Sequence, residues 1–331
     1  MLLIQRSASV EHGVRATRVV SDLRVVGTVS VYNEADILGQ VLAHLHEQGI
    51  MFVVLDGGSE DGSVEIAQSF RDKGLLEHRI VRRNSFTLRE DLDCLIEMAS
   101  VYFPDWILKN DADEFLEPRE QGRTLLDAIV AEDQFGSNII QFDNFEFCLT
   151  EMDSGSSEPD IRKRLRFYTW SDDFRYKAWR YYPGATYRES GGHYPLFPRG
   201  IKAKVSPRKL VMRHYRFRSP EQAVRRVFKE RLPRYSPEER ANGWHAHYDH
   251  FKEDPQFFVL DSDMLSRYDG DCRWDLTKRF DWYRDWRYPT REELFSGELG
   301  KLVSASLRIV REEGIRSLGV RALKKIAKTQ G

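Results

Sequence analysis

Asp111, Asp113 and Glu114 place three carboxylates within four residues, directly after the run Trp106-Ile107-Leu108-Lys109-Asn110. Carboxylates crowded at the end of a buried strand raise one another's proton affinity unless a cation neutralises them. Hard divalent ions such as Mg²⁺ or Mn²⁺ take oxygen ligands of this kind. An ion held there can in turn hold a diphosphate. The same tetrad also reads as a solvated acidic turn, so its context has to decide.

That context is a series of alternating strands and helices. Val25–Val31 is apolar and β-branched, and the helix opened by Asn33-Glu34 carries Ile37, Leu38, Val41, Leu42 and Leu45 on one face. Met51–Leu55 reads as a second buried strand ending at Asp56, followed by a Gly57-Gly58-Ser59 turn and a short helix to Gly74. His78–Val81 supplies a third strand. Thr87-Leu88-Arg89-Glu90 has the capping-box pattern for a long helix, and Trp106–Lys109 is the fourth strand. Such alternation predicts parallel strands with helices on both faces, and ligands of these sheets bind beyond the strands' carboxyl ends. Asp56 and the Asp111–Glu114 cluster both occupy such ends.

Beyond Pro118 the pattern changes to a helix near Leu125–Ala131, then strand-like runs at Asn138–Phe147, Arg164–Tyr168 and Lys209–His214. From Ser219 the chain reads as helical, with Ser219 as cap, Pro220 in the first turn and Gln222 completing a box. Four segments follow: a lead-in over residues 1–22, a nucleotide-binding half over 23–118, an acceptor-binding half over 119–218, and a helical C-terminal extension over 219–331.

Composition excludes several classes. The chain has 331 residues, 41% hydrophobic and 31% charged, with a net charge of -1, which excludes a disordered polymer or a general nucleic-acid-coating protein. No apolar run approaches the roughly 20 residues of a membrane span. The N-terminus lacks the basic start and long apolar segment of a secretory signal, so a cytoplasmic location is expected. Cys94, Cys148 and Cys272 are far apart and read as reduced structural thiols.

Three signals share an order and spacing: Val31-Tyr32-Asn33-Glu34, the Leu55–Ser63 segment, and Asp111-Ala112-Asp113. Together they resemble a family 2 glycosyltransferase with the GT-A fold, an α/β architecture whose mostly parallel central sheet is flanked by helices. Ser190–His193, Met212–Tyr215 and Gly243–Tyr248 are similar to segments of a non-processive bacterial subgroup. The resemblance implies a metal-dependent, inverting enzyme. It would move one sugar from a nucleotide-sugar donor to a carbohydrate or lipid-linked acceptor, in cell-surface polysaccharide or glycolipid synthesis.

The resemblance also implies roles for residues. Val31, Asn33, Glu34 and Asp56 would line the nucleotide, with Asp56 accepting from a ring N–H of the base. Asp111 would contact the ribose and the metal region, and Asp113 would bind Mn²⁺ or Mg²⁺. Arg89, in the first turn of its helix, is placed to reach the phosphates, and Lys177 is a further phosphate candidate. His214 reads as a metal ligand from the far side of the site, or as a half-buried structural histidine. Gly57 stands where relatives commonly carry a second aspartate, which leaves base preference open. No Glu-Asp pair occurs in the Tyr168–His214 region, so the acceptor-activating base falls to Glu189 or His193, with Asp172 and Asp173 as alternatives.

Trp244 and His247 are candidate acceptor contacts. His245, His247 and His250 are not spaced to share one helical face, so a separate zinc site is not expected. Between Ser206 and Arg240, eleven Lys or Arg face four Glu, an excess suited to an anionic ligand. Residues 315–328 carry a basic stripe beside an apolar one, which fits either a docked terminal helix or peripheral membrane contact. Two other functions fit parts of the pattern: nucleotidyl transfer at the same metal–carboxylate site, and a non-catalytic carbohydrate-binding module. The lack of a glycine-rich basic phosphate loop after the first strand argues against nucleotidyl transfer. Nucleic acid is not an expected partner.

Overall fold

A computed structural model describes residues 23–83, 85, 87–153, 156–171, 175–241, 245–270 and 273–278. The lead-in, Asp172, Asp173, Trp244, Cys272 and the basic stripe at 315–328 lie outside the described residues.

Four strands, β1 (Val25–Val31), β2 (Met51–Asp56), β3 (Leu75–Ile80) and β4 (Trp106–Asp111), pair in parallel as predicted. β5 (Glu114–Glu117) follows the turn after β4. β6 (Ile139–Ile140), β7 (Phe142–Phe147), β8 (Phe167–Ser171), β9 (Ala178–Arg180), β10 (Leu210–His214) and β11 (Ser266–Arg267) complete two sheets. The first sheet runs β3-β2-β1-β4-β9-β6, with β9 antiparallel to both its neighbours. The second runs β11-β8-β7-β10-β5, so the chain leaves the first sheet at Asp111 and enters the second at Glu114, within the acidic cluster.

The period-2 pattern of the strands explains the layers. Val25, Val29, Phe52, Val54 and Leu108 pack with α1 (Leu38–Glu47) and α2 (Ser63–Gln68) on one face. Val26, Val53, Leu55 and Ile107 face α3 (Leu88–Ser100) on the other. α4 (Leu125–Phe135) joins the first of these cores and starts with a capping box between Thr124 and Asp127.

Three local expectations are corrected. Thr87 makes no side-chain cap: its hydroxyl donates to Glu90 at 2.9 Å and accepts from Arg83 at 3.2 Å, so neighbouring charges use the oxygen a cap needs. Ser219 does cap its helix by accepting from Gln222 N, but the Gln222 side chain accepts from Arg218 N, one residue before the cap. The strand expected at Arg164 starts at Phe167, because Asp160 caps a short helix, α5 (Ile161–Arg164). The described part of the C-terminal extension holds α6 (Pro220–Val224), a π-helix over Arg225–Arg231, α7 (Pro237–Ala241) and single 3₁₀ turns. Among the described residues no helix is long and apolar enough to cross a membrane.

Candidate functional site

A cleft of about 220 Å³ opens beyond the carboxyl ends of β1, β2 and β4. The first two sequence motifs form its near wall by locking together. Asn33 N donates to Ser59 Oγ at 2.9 Å, Glu34 N donates to Ser63 Oγ at 3.0 Å, and Glu60 N donates to Asn33 Oδ1 at 2.9 Å. Asn33 holds φ 53, a left-handed conformation in which asparagine is enriched. Val31 and Glu34 line the cleft. Asp56 is fully buried. Its Oδ1 accepts from Gly58 N and Ser59 N, whereas Oδ2 has no hydrogen-bond partner among the described residues. A buried carboxylate oxygen left without a donor suits a ligand N–H.

The acidic cluster is surrounded by cations from distant segments. Asp111 ends β4 and is held by Lys109, with Lys177 Nζ at 3.4 Å. Glu114 accepts from Lys177 through both oxygens, at 2.6 and 2.7 Å, and from Asp111 N at 2.9 Å. Asp113 Oδ2 accepts from Arg226 Nη2 at 2.7 Å and lies 3.5 Å from His214 Nε2. His214 Nδ1 donates to Glu146 Oε2 at 3.2 Å. Burial favours the neutral form of Asp113, but Arg226 and His214 outweigh it and hold the carboxyl well below its usual range. At His214, burial works against the imidazolium, while Glu146 and Asp113 push its pKa up to about 9.

The far wall is basic. Arg83, Arg175, Arg216, Arg226, Arg231 and Arg234 all line the cleft. Arg226 and Arg218 both reach Glu34, and Arg218 also binds Asp36. These contacts tie the segment after β10 to the β1 motif. Arg234 lies over the Tyr32 ring at 3.4 Å and donates to Gly57 O at 3.1 Å. Arg231 Nη2 lies 3.8 Å from the Glu34 carboxylate, so Glu34 is a buried anchor for three arginines as well as part of the cleft wall.

Other expected residues fall as follows. Arg89 starts α3, but it is not among the cleft-lining residues; its backbone N–H meets Glu239 at 3.4 Å. Arg83, paired with Asp91, lines the cleft instead. His193 lines the cleft opposite, with Arg175 Nη1 2.9 Å from its Nδ1. A guanidinium only donates, so Nδ1 accepts and the neutral ring carries its proton on Nε2. Burial, then Arg175, Lys109 and Lys177, hold His193 well below the ordinary histidine value. With its lone pair engaged by Arg175, the ring as held is not set to remove a proton. Glu189 sits on the 3₁₀ turn Arg188–Ser190, just before cleft-lining Gly191. His247 belongs to the turn Ala246–His250.

Whether these residues fit a divalent ion rests on the donor set. Among the described residues no three His, Cys, Asp or Glu form a ready metal cage. Asp113 and His214 nevertheless form a juxtaposed carboxylate–imidazole pair beside Asp111, with the far imidazole nitrogen held by a carboxylate. Two or three protein donors beside room for phosphate oxygens is how ions bound jointly with a diphosphate are held, so the set fits. Sequence reading missed Lys109, Glu146, Arg216 and Arg234. The local excess of Lys and Arg after Ser206 pointed to four of the wall arginines collectively, whereas nothing in the sequence marks Glu146.

Residues 28–190 match the family model described as glycosyl transferase family 2. No curated protein matches the chain. Among solved structures, residues 1–349 of S. aureus TarS align at TM-score 0.37 and 16% identity, covering 62% of this chain and 63% of that one. The same TarS fragment in complex with UDP aligns at TM-score 0.37 and 15% identity, with the same coverage. A UDP-glucose pyrophosphorylase complexed with UDP-glucose aligns at TM-score 0.24 and 6% identity, over 58% of this chain and 90% of that one. The chain thus spans just under two thirds of the TarS fragment.

Proposed function

Because residues 28–190 belong to glycosyl transferase family 2 and the chain has the α/β GT-A fold, we propose that it is a metal-dependent, inverting glycosyltransferase. It transfers one sugar from a nucleotide-sugar donor to a carbohydrate or lipid-linked acceptor, in cytoplasmic steps of cell-surface polysaccharide or glycolipid synthesis. The observation that carries this reading is the Asp113–His214 pair, set at the carboxyl edge of the sheet beneath a wall of arginines.

Sugar transfer breaks the bond between the anomeric carbon and the diphosphate, leaving charge on the phosphate oxygens. Arg226, Arg231 and Arg234, already fixed on the cleft wall, stabilise that charge without having to reorganise. Asp113 and His214 hold Mn²⁺ or Mg²⁺, with Asp111 beside them. The ion supplies further neutralisation of the leaving diphosphate. Asp56 Oδ2 receives a base N–H. Glu189, on the turn beside cleft-lining Gly191 and His193, takes the proton from the acceptor hydroxyl as it attacks.

Calorimetric titration with UDP, GDP and dTDP, each with Mn²⁺ or with chelator, tests the donor site. One diphosphate should bind in a metal-dependent way, and Asp113→Asn should abolish that binding; because Asp113 is paired with buried Arg226, circular dichroism at the assay temperature checks that the variant is still folded. Turnover of the matching nucleotide sugar should release the nucleoside diphosphate. Release of pyrophosphate instead would replace this reading with nucleotidyl transfer, and full activity in Asp113→Asn would remove the metal site.

A further inference from the structure

The register of the second sheet puts Glu114 on β5, His214 on β10 and Glu146 on β7 in one row, each opposite its neighbour. Cross-strand partners project from the same face, which brings the Glu146 carboxylate to one ring nitrogen of His214 while Asp113 faces the other. Glu114 is engaged by Lys177 and by Asp111 N, within the acidic turn itself. Glu146 is different. It is 7% exposed, does not line the cleft, and reaches the site only through His214. Its carboxylate meets His214 Nδ1 at 3.2 Å and Arg216 at 3.2 Å.

We propose that Glu146 is a positioning residue for the divalent ion, acting through His214. An imidazole can bind a metal through either nitrogen, and its ring can flip. A carboxylate that accepts Nδ1–H removes both freedoms and directs Nε2 at Asp113, where an arriving ion would displace the Nε2 proton. Arg216, itself buried, keeps the carboxylate charged in a place where it would otherwise be costly. An imidazole donor also favours Mn²⁺ over Mg²⁺, because magnesium prefers oxygen alone. Glu146 thereby contributes to metal selectivity as well as affinity. This inference rests on the metal reading of Asp113 and His214.

The test is Mn²⁺ titration of the full chain, alone and with UDP, GDP or dTDP, read by the electron paramagnetic resonance of free Mn²⁺. Nitrogen modulation in the pulsed spectrum of bound Mn²⁺ reports imidazole ligation. The wild-type chain should show that modulation, and His214→Gln should lack it. Glu146→Leu should weaken Mn²⁺ binding by roughly 10- to 100-fold, lower the Mn²⁺ over Mg²⁺ preference and diminish the modulation. Glu146→Gln, which still offers Nδ1–H an acceptor, should recover most of the affinity. Since Glu146→Leu strands the Arg216 charge, the double variant Glu146→Leu/Arg216→Met provides a second, neutral background with the same expected loss. Mn²⁺ that fails to bind the wild-type chain under every condition overturns the metal reading, and this inference with it. Wild-type binding with imidazole modulation, unchanged in both Leu variants, overturns the role of Glu146 alone.

Discussion

Replacing Lys177 by methionine removes the cation that supports the acidic turn, and the structure sets the size of the effect. Lys177 is 1% exposed and Glu114 is 2% exposed, and Nζ reaches both carboxylate oxygens at 2.6 and 2.7 Å. Lys177→Met leaves Glu114 buried with Asp111 N as its remaining donor among the described residues. Breaking a buried pair from one side costs about 3–5 kcal/mol. Burial, despite Glu114, holds Lys177 below the ordinary lysine pKa, and the charge of Glu114 also acts on nearby Lys109. Both features place the expected loss at the lower end, about 3 kcal/mol. For a chain of 331 residues that is a fall of roughly 4–5 °C in Tm. Circular dichroism melts of wild type, Lys177→Met, Glu114→Gln and the double variant measure it. The double variant should be more stable than Lys177→Met, because no unpaired charge remains. A Tm change under about 2 °C in Lys177→Met, or a double variant no better than the single, would show that the pair is solvated and that the reasoning fails.

Two further expectations concern acid stability and backbone geometry. His44 is buried with Nε2 2.9 Å from Leu116 O, and burial pushes its pKa below the ordinary 6.5. Since the fold favours the neutral ring, stability is at its full value above pH 6.5 and falls as pH drops below it; urea midpoints of His44→Gln between pH 7 and 5 should show a shallower acid loss than wild type. Gly192 adopts φ +82, and an added Cβ would meet Lys109 Cε at 3.2 Å and Leu92 Cδ2 at 3.3 Å. Gly192→Ala should therefore lower stability by about 1–3 kcal/mol and weaken diphosphate binding by shifting the ammonium that holds Asp111, with melting and calorimetry as the paired readouts.

Much of the first sheet was legible because its signals are local. Alternation of apolar residues in Val25–Val31 and Met51–Asp56 separates two buried faces, and the spacing of Leu38, Leu42 and Leu45 gives α1 its stripe against the first sheet, whereas Ile37 and Val41 pack in the core of the second sheet. The third strand was placed three residues late and the second sheet was read only as scattered strand-like runs. Its order depends on pairings such as β10 with β7, between segments about 70 residues apart, which no local pattern specifies.

By itself the sequence determined the parallel α/β half, the strand ends where ligands gather, and the carboxylates of Asp111, Asp113 and Glu114, since each follows from residue type and short spacing. Only the tertiary structure decided what neutralises those carboxylates. Lys177 meets Glu114 across 63 positions, Arg226 meets Asp113 across 113, and Glu146 reaches His214 across 68. A charge is visible in a sequence, but its partner is set by strand register and chain return. Those are fixed by burying apolar faces rather than by the charges themselves.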